Sequence, residues 1–116
     1  MPRVTGIDHV QVAAPPGCEA EARRFYGGLL ELEEIEKPQE LRARGGVWFN
    51  CGSQQLHVGV QENFTPSSKA HPALSVSELD ELLRQLRDAG IDVTSDGPRH
   101  YVSDPFGNRL EFVPAT

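Results

Sequence analysis

Three histidines and one glutamate stand at matched places in the sequence and could together bind a divalent cation: His9, His57, His71 and Glu111. Each belongs to a segment in which apolar and polar residues alternate, as expected for a β-strand with one buried face. His9 and His71 belong to the first such segment in each half of the chain, whereas His57 and Glu111 belong to the last. Imidazole and carboxylate without thiolate suit Zn²⁺, Ni²⁺, Mn²⁺, Co²⁺ or Fe²⁺ rather than a purely structural zinc site. The sequence therefore predicts a divalent-metal site made of these four side chains.

The strand periodicity places each candidate ligand opposite the apolar face of its strand. In the segment 7–13, for example, His9 lies on the face opposite Val10 and Val12. A single histidine or glutamate on a strand is ordinarily a polar surface residue, and only the matched positions of all four favour a metal site. The fourth histidine, His100, is not one of the matched set and is assigned no metal role.

The segments that would carry these residues occur in the same order twice. The first half is predicted to contain strands at residues 7–13, 32–36, 47–51 and 54–61, with a helix at 19–30. After a polar linker, the second half is predicted to contain strands at 71–76, 92–94, 100–103 and 109–113, with a helix at 78–89 that Ser77 caps and Gly90 ends. Internal duplication is the simplest explanation of this order.

The predicted fold is therefore α+β, with two βαβββ modules that form a curved mixed sheet around a metal-binding cup. We expect one domain over residues 1–116, with module one at about 4–61, the linker at about 62–70 and module two at about 71–114.

Composition excludes several classes of partner. Seventeen acidic residues against eleven basic ones give a net charge of −6, so no basic footprint for nucleic acid is expected. No apolar run approaches the roughly 20 residues that span a bilayer, and the start of the chain lacks the apolar core of a secretory signal. We expect a cytoplasmic protein that contacts neither membrane nor nucleic acid. Cys18 and Cys51 lack a C-x-x-C spacing and are predicted to be reduced.

Three motifs at these positions resemble the vicinal oxygen chelate superfamily, which includes glyoxalase I, extradiol dioxygenases and bleomycin resistance proteins. They are Ile7-Asp8-His9-Val10, Arg24-Phe25-Tyr26, and the strongest, Asp104-Pro105-Phe106-Gly107-Asn108-Arg109-Leu110-Glu111-Phe112. The resemblance covers nearly the whole chain. It implies paired modules around a divalent metal, a small-molecule substrate and a homodimer.

The resemblance also assigns ligand roles one residue at a time. His9, His71 and Glu111 match family ligand positions, and His57 stands at the fourth position, where glyoxalase I has a glutamate. Because a metal-bound carboxylate is the base of glyoxalase I, this change argues against a true glyoxalase I. Glu111 then remains as the candidate catalytic base.

The leading functional hypothesis is a metal-dependent enzyme acting on a substrate with vicinal oxygens, of lyase or isomerase type rather than a dioxygenase. The alternative is a metal-free module that sequesters an antibiotic, as bleomycin resistance proteins do, for which Trp48, Phe49 and Tyr101 would supply aromatic contacts. One of Trp48 and Phe49 is predicted to face the core and the other the cup, although packing roles for both were an equal alternative. A descendant with a vestigial site is a third possibility.

Overall fold

Two units, each with its own four-stranded sheet, make up residues 2–116, which this computed structural model describes. The first unit ends at Glu62, and the second is Asn63–Thr116.

The first unit has a strand, a helix and then three strands. Its elements are β1 (His9–Ala14), helix α1 (Glu19–Ala22) continuing as a π-helix (Arg23–Leu29), β2 (Glu34–Ile35), a 3₁₀ helix (Gln39–Arg44), β3 (Val47–Cys51) and β4 (Gln54–Val60). The strand order is β1-β4-β3-β2, with β1 parallel to β4 and the other pairs antiparallel. This unit has the predicted βαβββ order.

The second unit repeats this arrangement. Its elements are β5 (Ala73–Val76), α2 (Leu79–Asp88), β6 (Thr94–Asp96), β7 (Arg99–Ser103) and β8 (Arg109–Pro114). The strand order β5-β8-β7-β6 and the strand directions match those of the first unit. The predicted α+β fold of two βαβββ modules is therefore confirmed, and each sheet is open.

The apolar face of each sheet supplies the core. In the first unit Phe49 and Leu56 are at most 1% exposed, and Phe25 and Tyr26 of the π-helix are also buried. The Tyr26 ring lies 5.0 Å from that of Phe25 and 5.9 Å from that of Phe49. Full burial of such a side chain contributes about 1.5–3 kcal/mol. The Phe25-Tyr26 motif thus fixes the first helix to its sheet.

Two predicted details of the second unit are wrong. Ser77 does not cap α2, because Glu78 takes the left-handed conformation at φ 50° and the helix begins at Leu79. The sixth strand is Thr94–Asp96 rather than residues 92–94, because its pairing with β7 decides its position.

Three further findings concern the predicted elements. The end of α2 is as predicted, since Gly90 has φ 84° and follows the last helical turn directly. Cys18 and Cys51 are both free thiols, also as predicted. In the described part of the chain, no helix combines the length and the apolar character that crossing a membrane requires.

Candidate metal centre

The first unit brings His9 and His57 together on the polar face of its sheet. β1 and β4 pair in parallel with Gln11 opposite His57, and His9 lies two residues before Gln11 on the same face. The two imidazole rings are stacked, with centroids 4.2 Å apart and an interplanar angle of 18°. Trp48 of β3 stacks on His57 at 3.7 Å and 3°. Since β4 lies between β1 and β3, His57 is held between the two other rings.

Each of these histidines donates a hydrogen bond to an acceptor beside it. The Nδ1–H of His9 donates to Asp8 Oδ2 at 2.9 Å, and the Nε2–H of His57 donates to Gln55 Oε1 at 2.8 Å. The remaining ring nitrogens, Nε2 of His9 and Nδ1 of His57, are left to bind another group. Burial lowers the pKa of the His57 imidazole, and the nearby His9 lowers it further. Both effects favour the neutral imidazole that binds metals.

The second unit brings His71 and Glu111 together in the equivalent place. Glu111 of β8 is opposite Ala73, and His71 lies two residues before Ala73, just ahead of β5 rather than within it. His71 Nε2 is 2.9 Å from Glu111 Oε1, and the side chains are 26% and 5% exposed. The Nδ1–H of His71 donates to the Lys69 carbonyl at 2.8 Å. The candidate ligand pairs of the two units thus have the same register in the repeat.

Glu111 lies among cationic and aromatic side chains, of which the sequence suggested only Tyr101, as an aromatic contact for a sequestered ligand. Tyr101 of β7 is directly opposite Glu111, and its ring meets that of His71 edge-on at 5.7 Å. Arg99 Nη1 is 3.8 Å from Glu111 Oε2, and Arg109 Cζ lies 4.2 Å above the Tyr101 ring. These neighbours follow from the β7–β8 register, for which the sequence holds no direct signal.

The partners of the histidines were also missed, although the sequence contains a signal for two of them. Asp8 is adjacent to His9, and Gln55 is two residues before His57 and therefore on its face. Trp48 lies on the His57 face, whereas Phe49 is fully buried, which confirms that only one of them faces the core.

The donor set of these four residues fits a divalent cation. It comprises three imidazoles and one carboxylate, and each imidazole has one nitrogen engaged by an acceptor, as is usual for metal-bound histidine. Each unit contains two of the four candidate ligands, and among residues 2–116 no group of three or more histidine, cysteine, aspartate or glutamate side chains is gathered closely enough to hold a metal. His100 is opposite Phe112, and its Nδ1 is 2.7 Å from Ser95 Oγ. It therefore lies on the other face of the sheet from Glu111.

Comparison with solved structures places the chain among glyoxalase-like proteins. It is 53% identical to a protein of Bacillus anthracis described as belonging to the glyoxalase family, with a TM-score of 0.94 and coverage of 100% of this chain and 99% of that one. Lactoylglutathione lyase from Agrobacterium tumefaciens shares the fold at 21% identity, with a TM-score of 0.72 and coverage of 97% and 96%.

The fosfomycin resistance protein FosX from Listeria monocytogenes also shares the fold. A mutant of it, complexed with Mn(II) and 1S,2S-dihydroxypropylphosphonic acid, is 15% identical with a TM-score of 0.77 and coverage of 97% and 94%. A comparison with curated proteins found no match. Residues 6–112 match the family model described as the Glyoxalase/Bleomycin resistance protein/Dioxygenase superfamily. The chain belongs to this superfamily, the group that its sequence motifs resemble.

Proposed function

We propose that this protein is a divalent-metal-dependent enzyme that acts on a small substrate with vicinal oxygens, as a lyase or isomerase rather than a dioxygenase. The observation that carries the proposal is the anchoring of His9, His57 and His71, each through one ring nitrogen, to an acceptor of its own unit. Such hydrogen bonds fix the tautomer and the ring orientation of metal-ligating histidines. Superfamily membership, and the Mn(II) in the FosX complex, support the same chemistry.

The four residues that would hold the cation are His9, His57, His71 and Glu111. We propose that the pair from the first unit and the pair from the second unit form one site, with Zn²⁺, Ni²⁺, Mn²⁺, Co²⁺ or Fe²⁺ as the candidate ions. A bound cation would act as a Lewis acid on neighbouring carbonyl or enolate oxygens of the substrate.

Glu111 is the candidate base. Its carboxylate is buried, and the contact between Oε1 and His71 leaves Oε2 as the oxygen that can accept a proton from a substrate carbon. Proton transfer next to a carbonyl is the step that lyase and isomerase reactions share, which is why we favour these over oxygenation. Arg99 Nη1 lies 3.8 Å from Oε2, so a substrate oxygen beside this carboxylate would also lie near a guanidinium.

Metal content tests the proposal. Purified untagged protein would be exposed equally to Zn²⁺, Mn²⁺, Ni²⁺ and Fe²⁺, desalted and measured by elemental analysis, beside Glu111→Gln. The matched control is His100→Gln, which removes a histidine from the opposite face of the same sheet. We expect near-stoichiometric metal in the parent and in His100→Gln, with loss in Glu111→Gln. Absence of metal from the parent, or equal loss in both variants, would contradict the proposal.

We also propose that the protein is a homodimer. Light scattering after size exclusion would measure its mass. Mixing the variants His9→Ala and Glu111→Gln would then show whether a cation is held by one chain or by two. If two chains contribute one pair each, mixed dimers regain an intact site, and metal retention returns in the mixture only.

A metal-free binding module is the second candidate, and the aromatic column Trp48–His57–His9 is the observation that favours it. An aromatic ligand would stack on an outer ring of this column, since both faces of the central His57 ring are covered. If the parent retains no metal, aromatic cationic antibiotics would be titrated by calorimetry. Loss of binding in Trp48→Leu would then support sequestration.

A further inference from the structure

A polar cavity beside Arg109, in the second unit, has no role in the proposed metal chemistry. Its volume is about 350 Å³. Its lining includes Arg109, Tyr101, the carboxylate of Asp92 and three serines, which are Ser67, Ser68 and Ser103. The cavity therefore combines one cationic group, one carboxylate and several hydroxyl groups.

The guanidinium of Arg109 is positioned but not neutralised. Its Cζ lies over the Tyr101 ring, 4.2 Å from the ring centroid, which is a cation–π distance. Within residues 2–116 no carboxylate forms an ion pair with Arg109, and Asp92 lines the cavity without doing so. By contrast, Arg23 and Arg84 are paired with Glu34 and Glu81. The free N–H fork matches the two oxygens of a carboxylate or phosphonate.

The hydroxyls around Arg109 would complete the coordination of such an anion. Ser103 is opposite Arg109 in the β7–β8 ladder, and Ser67 accepts hydrogen bonds from Lys69 and Ala70. Because its oxygen acts there as the acceptor, the Ser67 hydroxyl proton remains available for donation. Serine hydroxyls and one arginine are donors that suit an oxyanion, which would bind on the Arg109 side of the cavity rather than beside Asp92.

The position of Arg109 connects the cavity to the proposed metal site. Arg109 lies two residues before Glu111 in β8, on the same face and about 7 Å along the strand. We infer that the Arg109 cavity binds an anionic group, carboxylate or phosphonate, of the substrate whose vicinal oxygens face Glu111. Its identification as part of the substrate rests on the proposed function, whereas anion binding by the cavity does not.

Titration with acetate and with methylphosphonate, each followed by the side-chain N–H signals of Arg109 in NMR spectra, tests the inference. Chelator is present throughout, so the result does not depend on metal. We expect saturable shifts for at least one probe. The tighter probe identifies the carboxylate or the phosphonate as the preferred group. No saturable shift with either probe would overturn the inference and would leave the metal measurement untouched.

Variants separate this cavity from general charge attraction. Arg109→Met keeps the length of the side chain without its charge, and we expect at least about tenfold weaker binding, observed through backbone amide signals. The control Arg87→Met removes an exposed arginine from α2 and should leave the affinity unchanged. Equal weakening in both variants would refute a specific site.

Arg109→Lys covers the case in which Arg109→Met fails to fold, which far-UV circular dichroism would reveal. Lysine keeps the charge but loses the planar fork, so we expect affinity several-fold below the parent. Parent-like affinity in this variant would contradict recognition by the fork.

Discussion

Replacement of Asp104 by alanine tests how the turn between β7 and β8 is held. Asp104 is 5% exposed, and its Oδ1 accepts hydrogen bonds from the backbone N–H groups of Phe106 at 2.9 Å and Asn108 at 2.8 Å. Its Oδ2 accepts a third from the Asn108 side chain at 2.9 Å. The turn joins the strand of Tyr101 to the strand of Glu111 and thereby sets their register.

The magnitude follows from these three hydrogen bonds. Each hydrogen bond to a charged acceptor contributes about 1.5–3 kcal/mol, and water can reach part of this turn in the variant. We therefore expect Asp104→Ala to lower the free energy of unfolding by about 3–5 kcal/mol. Asp104→Asn keeps an oxygen that can accept both backbone hydrogen bonds, but its amide NH₂ would then face the NH₂ of Asn108. We therefore expect this variant to lower the free energy of unfolding by about 1–2 kcal/mol.

Urea unfolding followed by far-UV circular dichroism measures both losses. With a slope of about 1–3 kcal/mol per molar urea, the alanine variant should lower the midpoint by at least about 1 M. Asp96→Ala, which removes an exposed aspartate of the same unit, should stay within about 0.5 kcal/mol of the parent. A loss below about 1 kcal/mol for Asp104→Ala would mean that water replaces the carboxylate and that the reasoning is wrong.

Three other perturbations have expected outcomes. With chelator present, the free energy of unfolding should fall as the pH drops below about 6.5, because the lowered pKa of His57 makes the unfolded state bind more protons than the folded state. Urea unfolding at several pH values would measure this fall, which should be smaller in His57→Gln. Gly46→Ala should lower the free energy of unfolding by about 2–4 kcal/mol in thermal unfolding, because Gly46 has φ 89° and an added Cβ would lie 2.2 Å from a backbone oxygen. Gly52→Ala is the control: Gly52 has φ 60°, nothing lies within 4 Å of an added Cβ, and the expected loss is about 1 kcal/mol. Cation affinity, measured by calorimetry, should weaken as the pH is lowered, because metal ligands must be deprotonated; an affinity independent of pH would contradict this.

The sequence alone predicts the strands that have one apolar face and one polar face. The alternation around Leu56 and Val58 predicted which face His57 shares, and the stacking of His57 on His9 and Trp48 agrees with it. The two-residue turn at Gly52-Ser53 also follows from its composition. These features depend on residues that are close together in the sequence, so a single sequence is enough to predict them.

Features that depend on pairing between distant segments could not be predicted. The helical periodicity predicted an α-helix at 19–30, whereas residues Arg23–Leu29 form a π-helix that packs near Phe49. Likewise Tyr101 and Arg99 reach Glu111 only through the register of β7 on β8. Of the candidate site, the sequence predicts the four candidate ligands but not the side chains that surround them.

Trp48 is the single tryptophan of the chain, and its indole lies parallel to the His57 imidazole at 3.7 Å. Its emission therefore comes from one place, in van der Waals contact with a candidate ligand. A protonated imidazole accepts an electron from an excited indole, and open-shell ions such as Ni²⁺ or Co²⁺ quench it at short range, whereas Zn²⁺ does not. Quenching of Trp48 fluorescence would therefore distinguish protonation of His57, binding of a paramagnetic ion and binding of a closed-shell ion, without any added label.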